Sequence, residues 1–247
     1  MKKLFYIIPF LLIVTTIVFL IYVTKGKKSS DLQIDSGGVV LDIPPNNLMP
    51  LATGNYWVYD EYFSEDAPKY TQKLAVQDVV EFEGRKIFVM ESQSNFGGTT
   101  NTFYYLLEFK DGTDLYQSGT FLQYNKAQHS IREMMRRFEV DELLLLWPYP
   151  INYKDTFTLD VKTERVDGVV TSSKTEYIYN SMPKEDVVVP AGTFAKCAKI
   201  FIHMKSDDFE YKVFYWFKDD IGLVKRTITN VETQESTTLE LRDYDLN

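Results

Sequence analysis

The chain has 247 residues, 45% of them apolar and 25% charged, so it is neither disordered throughout nor too short to bury a core. Its single cysteine, Cys197, excludes an intrachain disulfide framework and a cysteine-built zinc site. Net charge is −8, but the first 28 residues hold five lysines and no acid, which leaves 22 basic against 35 acidic residues, a net −13, on the remainder; such a body repels phosphate backbones, and nucleic-acid binding loses its main source of affinity.

Leu4 to Val23 is a run of 20 residues without a charge. As a helix it would extend about 30 Å, the thickness of a bilayer hydrocarbon core. Tyr6 and Tyr22 stand near its ends, where amphipathic rings favour the headgroup level. A cleaved secretory signal has a shorter apolar stretch, about 7–15 residues, and ends in a small-x-small site that the following IYVTKGKKSS lacks. The reading is therefore a retained transmembrane helix with basic flanks over residues 1–28, with a cleaved leader as the alternative. Lysines flank both ends, so the positive-inside rule is nearly balanced. A leading span of this kind acts as a signal-anchor, which predicts a single-pass plasma-membrane protein with its body on the extracytoplasmic side.

Residues 29–47 (SSDLQIDSGGVVLDIPPNN) are punctuated by Ser, Gly and Pro and keep no period. They read as a tether, from which Val39–Leu41 could dock as an edge strand. From residue 48 to 247 strand-length segments alternate with turn signals. Strands are expected over Asn55–Phe63, Tyr70–Glu81, Arg85–Glu91, Thr102–Lys110, Phe157–Glu164, Val169–Tyr179, Phe194–Lys205, Phe209–Phe217, Gly222–Val231 and Thr237–Tyr244. Glu83-Gly84, Asp111-Gly112 and Asp167-Gly168 are expected as hairpin turns. The spacing predicts an antiparallel meander.

Period 2 places Phe103, Tyr105, Leu107 and Phe109 on one face of their strand, and Phe209, Tyr211, Val213, Tyr215 and Phe217 on one face of another. These all-apolar sets are expected on the core side. The opposite faces are mixed, and Leu106, Phe214 and Trp216 on them need a cover, whether a helix, a loop or a ligand. Mid-chain, Ser130-Ile-Arg-Glu133 fits a capping box, and Ile131, Met134, Met135 and Phe138 follow at helical spacing. An amphipathic helix is expected there, packed on the concave side of a curved sheet.

The two strand-rich halves, 48–125 and 143–247, echo one another. Val79-Val80, Gly84 and Phe109-Lys110-Asp111 recur 108 residues later as Val187-Val188, Gly192 and Phe217-Lys218-Asp219. An internal duplication and chance recurrence among common residues both account for this. The fold expected is mainly β: an anchor helix, then a curved antiparallel sheet or half-barrel, built of two related units joined by one helix.

Catalytic motifs are missing. There is no G-x-S-x-G elbow, no phosphate-cradling glycine loop and no paired-histidine zinc motif. His203 and Cys197 fall on one strand and, by alternation, on one face, yet about 20 Å apart, too far for a Cys–His nucleophile. Cys197 reads as a small packed residue. The acidic pairs Asp60-Glu61, Glu65-Asp66, Asp207-Asp208 and Asp219-Asp220 read mostly as solvated turns. Arg132, Arg136 and Arg137 read as a solvated helix face. No catalytic residue, metal ligand or cofactor is assigned.

The stretch VVVPAGTFAKCAKIFI (Val187–Ile202), then FYWFKDDIGLVKR (Phe214–Arg226), with the opening LMPLATGNYWVY (Leu48–Tyr59), resembles a signature of bacterial exported proteins and lipoproteins of unknown function. The resemblance implies an envelope location and transfers no activity. The expectation drawn is a non-enzymatic, membrane-anchored envelope protein. Its partners would be the membrane through residues 4–23 and a hydrophobic or lipid-like ligand against Phe214, Trp216 and Leu106. A structural or protein–protein interaction module with a filled core is the alternative, and a carboxylate-based hydrolase the least favoured reading.

Overall fold

A computed structural model of the chain describes residues 48–63, 70–95, 98–108, 175–207 and 209–247 with their side chains. It further describes the strand backbone at 22–24, 96, 109–110, 114–121, 144–147, 155–164 and 170–174. Thirteen strands lie among these residues: β1 (Tyr22–Thr24), β2 (Tyr56–Tyr62), β3 (Tyr70–Phe82), β4 (Arg85–Phe96), β5 (Thr99–Lys110), β6 (Asp114–Phe121), β7 (Leu144–Trp147), β8 (Asp155–Glu164), β9 (Val170–Val189), β10 (Gly192–Lys205), β11 (Glu210–Lys218), β12 (Gly222–Asn230) and β13 (Ser236–Asp245).

They form one antiparallel sheet that does not close, ordered β1-β8-β9-β10-β11-β12-β13-β2-β3-β4-β5-β6-β7. The order resolves into two meanders, β2 to β7 and β8 to β13. The last strand of the second pairs with the first strand of the first, from Thr238 opposite Tyr62 to Asp245 opposite Tyr56. Val79 and Val80 lie near the end of β3 and Val187 and Val188 near the end of β9, and each pair precedes a tight turn.

The turns follow from backbone chemistry. Glu83 and Gly84 both have positive φ, 52° and 76°, and join Phe82 directly to Arg85 across a two-residue hairpin. Only a primed turn has this geometry, and its twist matches that of the strands it joins. The β9–β10 turn runs through Pro190 and Ala191, with Val189 opposite Gly192. Asp220 (φ 62°) and Gly222 (φ 105°) turn β11 back into β12.

Alternation sets the two faces. Tyr211, Val213 and Phe217 are buried on one face of β11, and Leu107 on the matching face of β5, as period 2 requires. Leu239 and Leu241 on β13 and Ile200 and Ile202 on β10 join them. This face is concave, because residues on it meet across several strands. The Ala191 N–H donates to the Leu241 carbonyl at 3.0 Å, linking the β9–β10 turn to β13. The Tyr59 hydroxyl on β2 donates to the Leu223 carbonyl on β12 at 3.1 Å. Phe194 and Tyr244 meet with ring centroids 6.3 Å apart. One sheet thus folds over its own apolar face and supplies both walls of its core.

Some expectations meet corrections. Val170–Val189 continues ten residues past the expected end at Tyr179. Cys197 and His203 do not share a face: the ladder slips between Phe194 and Cys197 and again before Lys199, with Lys196 at φ 56°. This bulge turns both Cys197 and Ala198 into the core and leaves His203 opposite Lys212 on the other face. Tyr22 and Val23, the end of the apolar run, are extended against β8. The rest of the run, the tether with Val39–Leu41, and the capped helix after Ser130 lie outside the described residues. Among the described residues no helix is long and apolar enough to cross a membrane.

Candidate functional site

Phe214 and Trp216 lie on the outer, convex face. Their rings stand 6.0 Å apart, and Phe201 on β10 packs 5.0 Å from Phe214. The Lys199 ammonium sits over both, 5.4 Å from the Phe214 centroid and 5.0 Å from that of Trp216. Lys199 also pairs with Glu185 at 3.1 Å, and Glu185 accepts the Trp216 indole N–H. Trp216 is 9% exposed. Its cover is therefore an ion pair from the neighbouring strands.

Leu106 is on the same outer face but not in the same place. Five strands separate β11 from β5 in the sheet, roughly 29 Å along it at about 4.8 Å per strand. There Leu106 packs with Ile87 and Val89, and Val80 and Phe82 lean on them. Arg85 forks onto Glu108 beside this cluster. The structure brings Phe214 and Trp216 together and leaves Leu106 apart from them.

The concave face offers a different surface. Its floor is closed by Trp57, Leu241, Val224 and Phe217. Over this floor Tyr105, Tyr177 and Tyr215, with Met204 and Phe209, are only partly buried. Their surroundings are poor in water: burial pushes the Tyr177 hydroxyl up to about 12, with Tyr215 adding to it. Burial also raises Tyr105 and Tyr215, the latter against the pull of Arg226. These rings keep some solvent contact while their hydroxyls are desolvated, so they sit at the margin of the apolar core.

One charged pair lies on the same face. Arg226 on β12 and Glu61 on β2 both face inward, each opposite Leu239 on the strand between them. Their closest atoms, Nη2 and Oε1, are 3.3 Å apart, with side-chain exposures of 20% and 11%. Thr237, two residues before Leu239 on the same face, is 2% exposed, and its hydroxyl has no hydrogen-bond partner among the described residues. Arg226 and Thr237 are not singled out from sequence, where a lone arginine in a strand resembles any solvated residue; Glu61 is read there only as half of the acidic pair Asp60-Glu61, a solvated turn, but both acids are buried within β2.

Cys197 is fully buried, its Sγ 3.4 Å from the Phe194 carbonyl, and burial pushes its thiol up to about 11. It stays protonated at neutral pH and is no thiolate nucleophile. His203 meets Glu210 at 2.8 Å on the convex face, and this hydrogen bond holds the Glu210 carboxyl below its ordinary range. Among the described residues no group of three or more His, Cys, Asp or Glu is placed to hold a metal ion.

Two solved structures are similar in shape. One is a Bacteroides fragilis protein described as a candidate exported protein with a YmcC-like fold. It is 15% identical, with a TM-score of 0.49, over 78% of this chain and 96% of that one. The other is a candidate lipoprotein from Parabacteroides distasonis, 12% identical, with a TM-score of 0.43, over 79% of this chain and 96% of that one. No family profile and no curated protein matches the chain.

Proposed function

We propose that this chain is a non-enzymatic envelope module, tethered by its leading apolar segment with the body outside the membrane, and that it holds a hydrophobic or lipid-like ligand. The ligand's place is the concave face rather than the surface of Phe214 and Trp216. The single observation that supports this is the set of partly buried rings, Tyr105, Tyr177 and Tyr215, above a closed apolar floor. Partly exposed aromatic rings in a hollow gain by exchanging water for an apolar guest. The outer pair lacks that incentive, since Lys199 and Glu185 already cover Trp216.

The test is displacement of a neutral apolar dye, phenylnaphthylamine, together with native mass spectrometry of the full chain extracted from membranes. Saturable dye binding, lost on Tyr105→Ala with Tyr215→Ala and kept on Trp216→Phe, supports the reading. Absence of both dye binding and a co-purifying mass overturns it and leaves a filled-core interaction module. Protease added to intact cells tests the topology, because an outside body is cut before lysis.

A further inference from the structure

We propose that the hollow carries a polar subsite, made by Arg226, Glu61 and Thr237, that receives a neutral, hydroxyl-bearing headgroup such as glycerol or a sugar on an apolar tail. This rests on the concave face being the ligand site and names the class of ligand it takes.

Three observations carry it. Arg226 has five N–H donors and gives one to Glu61, at 3.3 Å, the long end of a hydrogen bond. Glu61 accepts that bond through Oε1, and its carboxylate has further acceptor capacity on Oε2. Thr237 is buried to 2% exposure with its hydroxyl unsatisfied among the described residues, which costs about 1–3 kcal/mol unless a partner arrives. Register places them together: Arg226 stands opposite Leu239, and Thr237 stands opposite Ile228, the next inward residue of β12. A donor-rich, an acceptor-rich and a two-way group therefore share one small area of an otherwise aromatic wall.

The chemistry of the head follows. An anion would satisfy Arg226 but meet Glu61, and would approach a body of net charge −13. A cation would satisfy Glu61 and meet Arg226. A neutral group with vicinal hydroxyls donates to Glu61 and accepts from Arg226 and Thr237 at once, and it leaves the ion pair's charge balanced. Tyr215, opposite Arg226 on β11, offers its ring to the first part of the tail.

The experiment uses the full chain in an amphipathic polymer, because detergent tails would compete. Phenylnaphthylamine is displaced by three twelve-carbon probes: monolauroylglycerol, lauric acid and methyl laurate. The glycerol ester is expected to displace at concentrations at least tenfold lower than the other two. Replacing the pair together, Arg226→Met with Glu61→Leu, avoids stranding a charge and should bring the glycerol ester level with methyl laurate while dye binding persists. Equal displacement by all three, preference for the acid, or a glycerol preference that survives the double variant overturns the subsite and leaves the apolar site standing. Failure of all three probes and of the dye overturns both.

Discussion

The Trp57 indole occupies the space that a side chain at Gly222 would take. Its Nε1 donates to the Ile221 carbonyl at 2.6 Å, and a Cβ built on Gly222 would lie 3.2 Å from that same nitrogen. Gly222 also has φ of 105°, a conformation that side chains resist. The pair pins the β11–β12 turn to β2, the strand where the two meanders meet.

Gly222→Ala is therefore expected to destabilise by more than about 1 kcal/mol, and Trp57→Phe, which keeps a ring but loses the donor, by about 1–3 kcal/mol. Denaturant melts of both check this. The double variant should lose less than the sum, because the two changes act on one contact. Additive losses would show that the turn and the indole are independent.

What could be read in advance divides along physical lines. Strands and turns are local, and alternation at Tyr211–Phe217 with the Glu83-Gly84 dipeptide was enough to place them. The end of β9 was hidden because Pro183 normally argues against a central strand. Here it falls where the β9–β10 ladder skips, between Met182 opposite Lys199 and Glu185 opposite Cys197, so its missing N–H costs nothing. The sharing of an inner face by Arg226, Glu61 and Thr237 depends on which strands become neighbours and which way the sheet curls. No local pattern carries that. The same limit hides the neighbours of Phe214 and Trp216: their place on the mixed face is legible from alternation, but the Lys199–Glu185 pair that covers Trp216 is not.

The cover over Trp216 can be removed one group at a time. Burial alone would raise the Glu185 carboxyl, but the hydrogen bonds from Trp216 and Lys199 outweigh it and hold it below its ordinary range. A lowered carboxyl contributes stability that is present above the unfolded value and lost as pH falls through the folded one. The cover should therefore persist as pH drops past 4.5. With fluorinated tryptophan, the Trp216 resonance is expected to hold its position to that pH and below. Lys199→Ala should move it at neutral pH while Trp57 stays fixed, with a stability loss of about 0.5–1 kcal/mol. A resonance indifferent to Lys199→Ala would mean the ring is covered by something else.

Alkali should unfold the protein through its inner face. Burial raises Tyr59, Tyr105, Tyr177, Tyr179 and Tyr215 above the ordinary tyrosine value of 10.0, and Cys197 from 9.0 to about 11. A raised folded-state value gives stability that is complete below the unfolded value and is lost as pH climbs toward the folded one. Stability should thus fall from about pH 9 upward, steeply past 10. Absorbance at the tyrosinate band should show a fraction of the tyrosines ionising together with the loss of near-ultraviolet dichroism. Tyrosines that all titrate smoothly near pH 10 in the folded state would mean the concave face is open to water, and the hollow would lose its desolvated character.

The outer cluster around Leu106 makes the last prediction, and it turns on how an ion pair is replaced. Arg85 grips Glu108 with two nitrogens, and Glu108 is 4% exposed between Ile87 and Leu106. That hydrogen bond raises the Arg85 guanidinium further above its ordinary value. Removing one partner strands the other, so Arg85→Ala should cost about 3–5 kcal/mol, because the Glu108 carboxylate is left buried alone. Replacing both, Arg85→Met with Glu108→Leu, extends the Ile87–Val89–Leu106 cluster and should return most of that loss. Chemical denaturation of the three variants measures it. If the double variant is as unstable as the single one, the fork holds the β3–β4 hairpin against β5 by geometry that apolar packing cannot supply. If Arg85→Ala is itself neutral, Glu108 reaches solvent and this edge of the convex face is wetter than its packing indicates.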